Sequence, residues 1–154
     1  HPQLYGGFSA SLRTARFWAK YKGKPIVMAS DIEFLKLLWK SYKKEAETKH
    51  NYTPSPGDEA AWGGLMICAK NDNEAMELAN DMKWMWERWA IPFGQPFPEL
   101  LFGSPDTLNK RIEEVTKSVP INEIFLIIPQ GIHTRGQILQ SMELFSEKVI
   151  KNFN

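Results

Sequence analysis

Four short apolar runs alternate with longer amphipathic stretches, and that alternation is the clearest pattern in the chain. Leu4-Tyr-Gly6 reads as a short strand that breaks into small residues. Leu12 to about Lys22 follows, with Ala15, Trp18 and Ala19 at helical spacing, and Gly23 in the C′ role that stops a helix. Pro25-Ile-Val-Met-Ala29 is apolar without alternation, as in a strand covered on both faces. Ser30-Asp-Ile-Glu33 reads as a capping box opening a helix with Ile32, Leu35, Leu38, Trp39, Tyr42 and Ala46 on one face, the pattern fading near His50. Asn51 to Asp58 carries two prolines and a glycine and reads as a connector.

Trp62-Gly-Gly-Leu-Met-Ile-Cys-Ala69 is the third strand, and its two glycines suggest a bend or a close backbone approach. Asn71 and Glu74 then open a long helix with the stripe Ala75, Leu78, Ala79, Met82, Met85, Trp86 and Trp89. Trp84, Trp86 and Trp89 suggest an aromatic box, but at this spacing core or interface packing is the simpler reading. The proline-rich stretch Ala90–Pro98 cannot be a helix or a central strand, and reads as a packed loop or a lid. Ser104 as N-cap and Pro105 at N1 start a helix with Leu108, Ile112 and Val115 inward. Glu123-Ile-Phe-Leu-Ile-Ile-Pro129 is the clearest buried strand by composition. Thr134 and Gln137 cap a last helix bearing Ile138, Met142, Phe145, Val149 and Phe153.

Strand and helix thus alternate four times, with an extra helix before the last strand. Such alternation implies parallel strands with helical crossovers. An open doubly wound sheet and an arc of a (β/α)8 barrel both satisfy it. At 154 residues the chain could supply only half of a barrel, since a complete one needs about 250.

Composition removes several classes of function. Nineteen basic against eighteen acidic residues, with no basic stripe or acidic tail, give no argument for nucleic acid or a membrane surface. The apolar run Ile124–Pro129 is far too short to span a bilayer. The single Cys68 cannot form an intrachain disulfide and sits in an apolar run as a small hydrophobe; with no signal peptide in view, the cytosol is the expected compartment. The three histidines are scattered, which argues against a metal site, and no nucleophile elbow, Walker loop or dinucleotide fingerprint is present. His133, with Gln130 and Gly131, follows the end of a strand where α/β proteins place ligands, although a solvated loop residue is the plainer assignment for it.

One turn carries candidate chemistry. Gly6-Gly-Phe-Ser-Ala-Ser11 ends at a helix N-terminus, whose unpaired N–H groups and dipole suit a phosphate. An ordinary capped turn uses the same residues, and these positions alone do not separate the two.

Longer motifs resemble the bacterial luciferase-like flavin monooxygenases. Gly103-Ser-Pro-Asp106 matches that family's helix start before its last strand, and Ser141, Glu143, Leu144, Phe145 and Val149 match its closing helix. Gly6-Gly-Phe-Ser-Ala-Ser-Leu-Arg-Thr14, with Ala19, Gly23 and Pro25, is similar to its strand-to-helix unit, and Asn71-Asp-Asn-Glu-Ala75 to a segment after another strand. No single motif is specific; their order along nearly the whole chain is.

The resemblance implies the C-terminal half of a (β/α)8 barrel, starting at about the family's fifth strand. It implies reduced FMN as cofactor, with a deazaflavin as the alternative, and oxygenation of a small organic substrate by O2. It further implies a flavin reductase as supplier of reduced flavin, and a homodimer in the full-length protein. By position, Ser11 and Thr14 would give hydroxyls to the flavin phosphate, and Ser9 and Ala10 backbone contacts. The family's catalytic histidine region would lie in the first half, so this chain alone is expected to be inactive. A non-catalytic flavin-binding homologue is the other reading. Half a barrel leaves open sheet edges and an apolar concave face, so the isolated chain is expected to self-associate. Light scattering checks this, and a monodisperse monomer would contradict it.

Overall fold

A computed structural model describes residues 2–7, 11–85, 87–88, 91–93, 99–129 and 131–153. The elements follow one another as β1 (Tyr5–Gly6), α1 (Leu12–Lys20), β2 (Lys24–Val27), α2 (Ile32–Lys49), β3 (Ala61–Cys68), α3 (Asp72–Asn80), α4 (Lys83–Met85), β4 (Leu100–Gly103), α5 (Pro105–Ser118), β5 (Ile124–Ile127) and α6 (Arg135–Lys148). Single 3-10 turns occupy Ile91–Phe93 and Ile150–Asn152. The four β/α strands expected from the sequence are present, and the fold class is α/β, half of a (β/α)8 barrel with flanking helices. The chain divides into two compact units, residues 1–64 with 115–125 and residues 65–114 with 126–154.

In the first unit β1 pairs parallel with β2, and β2 with the beginning of β3. The backbone N–H of Trp62 donates to Glu123 O across 3.1 Å, tying the start of β3 to the approach of β5. Gly63 confirms the close approach that the glycine pair suggests, since a Cβ there would lie 1.9 Å from the Phe125 carbonyl oxygen. Trp62 is buried and donates its indole N–H to Ala29 O. Leu35, Leu38, Tyr42 and Ala46 form the inward face of α2, and Ala15 and Ala19 that of α1.

Two caps differ from the reading of the sequence. The N-cap of α2 is Asp31, not Ser30: its carboxylate accepts from the N–H groups of Glu33 and Phe34, and a carboxylate at a helix N-terminus also meets the dipole. At the end of α1, Lys22 rather than Gly23 adopts the left-handed conformation (φ 52°). The Lys22 and Gly23 N–H groups close a Schellman pair on Ala19 O and Trp18 O. Gly23 serves a different purpose. A Cβ there would lie 2.5 Å from the Trp18 ring, and one on Gly6 1.9 Å, so two glycines leave the slot that Trp18 fills.

In the second unit β4 pairs parallel with the end of β3, from Leu65 against Leu100 to Cys68 against Gly103. Strand β4 is not foreseen from the sequence, because three apolar residues after a proline-rich stretch have no period of their own; the ladder to β3 makes them a strand. Leu65, Ile67 and Met82 form a core with Leu78, Leu100, Phe102, Ile127 and Ile132 around it. Helix α3 stops at Asn80 instead of continuing through the tryptophans, with a separate turn at α4. Trp84 is 53% exposed, so it is not core, while Trp86, Trp89 and the loop stretch 94–98 lie outside the described residues. Strand β5 is only part-buried, and Ile124 reaches 36% exposure, against the fully buried strand its composition suggests. Apolar composition sets the driving force for burial, but covering atoms must be supplied by another element. On α6 and just beyond it, Ser141, Phe145 and Val149 are buried while Met142 and Phe153 are exposed. A serine therefore takes an inward position that the apolar stripe assigned to Met142.

A charged group missed in the sequence sits beneath the first unit's strands. The ammonium of Lys24, 4% exposed, contacts Glu123 at 2.5 Å and Asn122 at 3.0 Å, and Tyr5 donates its hydroxyl to the same Glu123. Burial raises the Glu123 carboxyl, but the Lys24 and Tyr5 hydrogen bonds outweigh it and hold the group below its ordinary range. Glu59 is fully buried, and neither of its carboxylate oxygens has a hydrogen-bond partner among the described residues. Burial pushes its carboxyl up to about 7, and the nearby charge of Lys24 offsets only part of that rise. Because the folded state holds this proton more tightly than the unfolded chain does, the stabilisation is complete below the unfolded value and is lost as pH rises through 7. The span corresponds to roughly 3 kcal/mol. The melting temperature is expected to fall from about pH 5 to about pH 8, and Glu59→Gln to flatten that fall. Thermal melts of both proteins across the range measure it, and superimposable profiles would contradict it.

Candidate functional site

Ser11, five residues after the end of β1, opens α1, so the phosphate candidate follows the C-terminal end of a strand. That is the end where βα folds gather ligands. Ser11 has extended backbone angles (φ −148°, ψ 153°) and is the N-cap. Its carbonyl accepts the N–H of Ala15, and its hydroxyl oxygen accepts the N–H of Thr14 at 3.2 Å. The Ser11 and Thr14 hydroxyl oxygens stand 3.0 Å apart, one donating to the other. The structure thus brings together two of the four residues assigned from the sequence. Ser9 and Ala10 lie outside the described residues, as does Gln130.

This arrangement suits an anionic oxygen group. Two hydroxyls meet at a helix N-terminus whose first-turn N–H groups have no acceptor within the helix, and the first turn of α1 contains no acidic residue. Among the described residues nothing lies within 4 Å of a Cβ built on Gly7. A phosphate monoester fits this donor set. The hydroxyl that now satisfies its helical neighbour can rotate to donate outward, as hydroxyl protons do.

In the second unit, a cavity of about 410 Å³ opens at the C-terminal end of β3, lined by Cys68, Ser141, Gln137 and the acidic Glu74, Glu77 and Asp81. Three carboxylates make it a poor phosphate seat. The Ser141 hydroxyl oxygen accepts the Cys68 N–H at 2.8 Å, so this serine closes the end of the β3 ladder. The Cys68 thiol is pushed up to about 11 by burial and stays protonated at neutral pH, consistent with a packing role. His133 is half-buried rather than solvated: Nε2 is 2.9 Å from Leu78 O and must carry the proton to bond a carbonyl. It is a tie to α3, and Gly131 (φ 85°) is the bend before it.

Other polar groups were invisible in the sequence because their partners are distant along it. Asp72 accepts the Ser104 N–H at 2.7 Å and the Thr107 hydroxyl at 3.0 Å, fastening α3 to the start of α5. Those bonds, the Ser104 N–H first, hold its carboxyl below the ordinary range. Arg111 grips the buried Glu99 with two parallel bonds, Nε to Oε1 at 3.1 Å and the terminal nitrogen to Oε2 at 2.6 Å. Among the described residues no group of three or more His, Cys, Asp or Glu side chains could hold a metal ion, and no helix is long and apolar enough to cross a membrane.

No protein-family model and no curated protein sequence matches the chain. Solved structures do match its fold. Monooxygenase RslO1 from Streptomyces bottropensis aligns with a TM-score of 0.78 at 15% identity, over 100% of this chain and 49% of that one. The oxygenating constituent of 3,6-diketocamphane monooxygenase from Pseudomonas putida, a type II Baeyer-Villiger monooxygenase in complex with FMN, aligns at 0.79 and 23% identity, over 97% and 48%. The coenzyme F420 dependent tetrahydromethanopterin reductase from Methanopyrus kandleri aligns at 0.63 and 16% identity, over 96% and 50%. The chain therefore carries the luciferase-like monooxygenase fold that its motifs resemble, and spans about half the length of these structures.

Removing the cap has a predictable cost whatever binds there. Ser11→Ala is expected to destabilise the chain by about 1 kcal/mol, and Ser11→Asp to retain the stability of the serine. Denaturant unfolding measures both; an alanine variant as stable as the parent would show that the hydroxyl does not cap α1.

Proposed function

We propose that the chain is the C-terminal half-barrel of a luciferase-like flavin-dependent monooxygenase and carries part of its flavin-phosphate seat at Gly7–Thr14. The observation that carries this reading is the Ser11 and Thr14 hydroxyl pair at the start of α1. It occurs in a fold shared with a monooxygenase solved in complex with FMN. Reduced FMN is the proposed cofactor. A deazaflavin is the second reading, favoured by the likeness to a coenzyme F420 dependent reductase.

The chain's own contribution is binding and placement. Ser11 and Thr14 donate to the phosphate, the α1 dipole favours its charge, and Trp18, wedged against Gly6 and Gly23, holds the helix against the strands that aim it. Anchoring a remote phosphate is how binding energy fixes the reacting end of a cofactor. When bound, reduced flavin would supply the two electrons with which O2 is divided between the organic substrate and water. The other half of the barrel supplies the catalytic residues in this reading. The whole protein is a cytosolic homodimer that receives reduced flavin from a reductase.

The Ser11→Asp substitution separates cap from seat, because a carboxylate caps the helix but repels a phosphate. In the full-length protein, Ser11→Asp and the pair Ser11→Ala with Thr14→Ala are expected to weaken FMN binding by roughly tenfold or more, while Ser11→Asp leaves stability intact. Flavin fluorescence titration reads the affinity, with a deazaflavin titrated in parallel to decide between the cofactors. Unchanged affinity in both variants would return the turn to a purely structural role.

A further inference from the structure

The first unit also carries a cationic surface feature, separate from the uncharged Ser11 and Thr14 pair. Arg13, Arg16, Phe17 and Lys20 stand at i, i+3, i+4 and i+7 of α1 and therefore share one face of it. With Glu45, Lys49 and His50 from the end of α2 they line a groove of about 410 Å³. The groove holds four full positive charges and one carboxylate. That carboxylate is already engaged, since Glu45 pairs with Lys49 at 3.3 Å and lies 3.8 Å from His50. Arg13, Arg16 and Lys20 make no ion pair among the described residues.

This concentration is local. The whole chain carries nineteen basic and eighteen acidic residues, yet among the described helices of eight or more residues α1 is the one without a single Asp or Glu. Other helices offset their lysines within a turn, as Lys36 does with Glu33 and Lys43 with Glu47. Like charges so placed on one helix repel, and a bound anion relieves that repulsion. Phe17 lies amid the cations and is 53% exposed, packing its ring at 5.4 Å from Trp18 and 5.2 Å from Tyr21. Two guanidinium forks suit phosphate oxygens, an exposed aromatic ring suits a base, and the volume is that of a small-molecule site.

We propose that the groove between α1 and α2 binds a nucleoside polyphosphate, the phosphates against Arg13, Arg16 and Lys20 and the base against Phe17. This goes beyond the flavin reading and does not depend on it. The test is a titration of the chain with ADP and, separately, inorganic pyrophosphate at low ionic strength, read by tryptophan fluorescence because Trp18 packs on Phe17, and repeated by calorimetry. Arg13→Gln with Arg16→Gln is expected to weaken ADP binding by about tenfold or more, and rising salt to weaken it in the parent. Phe17→Ala is expected to weaken ADP and leave pyrophosphate unchanged. Lys36→Gln, a surface cation of α2 outside the groove that pairs with Glu33, is expected to leave both unchanged. Unfolding melts confirm that the variants fold. No ADP binding at low ionic strength overturns the proposal, as does a loss in the Lys36→Gln variant with none in the arginine variant. Pyrophosphate binding as tight as that of ADP overturns the assignment of the base.

Discussion

Among the described residues every strand ladder except the one between β1 and β2 leads to β3, and all eight residues of β3 are buried. A strand so placed cannot leave a polar backbone group unmatched without a penalty of the order of 1–3 kcal/mol. Its start gives the Trp62 N–H to Glu123 O, and Gly63 lets the Phe125 carbonyl approach where any side chain would collide. Its end ladders with β4, and the Cys68 N–H is taken by the Ser141 hydroxyl. A glycine and a serine therefore occupy positions that composition alone would assign to larger apolar residues.

The two ends of the first unit's strands carry different chemistry. At their beginnings, Lys24, Glu123, Asn122 and Tyr5 form a hydrogen-bonded charge cluster, with Glu59 buried and kept protonated into the neutral range. Polar groups at the starting ends of βα strands hold a fold together, whereas the opposite ends hold ligands. At the far end of β1 the polar groups are hydroxyls and helix N–H groups, with no acid in the first turn of α1. That contrast supports reading the Ser11 turn as a seat for an anion.

Much of the framework was legible in the chain. The period of Leu35, Leu38, Tyr42 and Ala46, the buried face of Leu108, Ile112 and Val115, and the Thr134 and Gln137 capping box all appear where their spacing places them. Local geometry determines such features, so a few neighbouring residues contain the information. The candidate site was legible for the same reason: Ser11 and Thr14 meet because a helical turn puts them together.

What the sequence did not contain was the identity of partners far along the chain. Arg111 with Glu99, Asp72 with Ser104 and Thr107, and Lys24 with Glu123 are pairs whose members carry no local mark of each other. Strand β4 exists through its ladder to β3, and the exposure of β5 and Met142 depends on which atoms cover them. The choice between an open sheet and a barrel arc also lay outside the pattern, since both use the same strands and helices. By itself the sequence determined four of the strands, most of the helices with their inward stripes, and the hydroxyl pair that opens α1, because those follow from contacts within a few residues. Only the tertiary structure decided the barrel-half fold, the buried charge pairs and the loose burial of β5, because each depends on side chains that distance in sequence keeps from predicting one another.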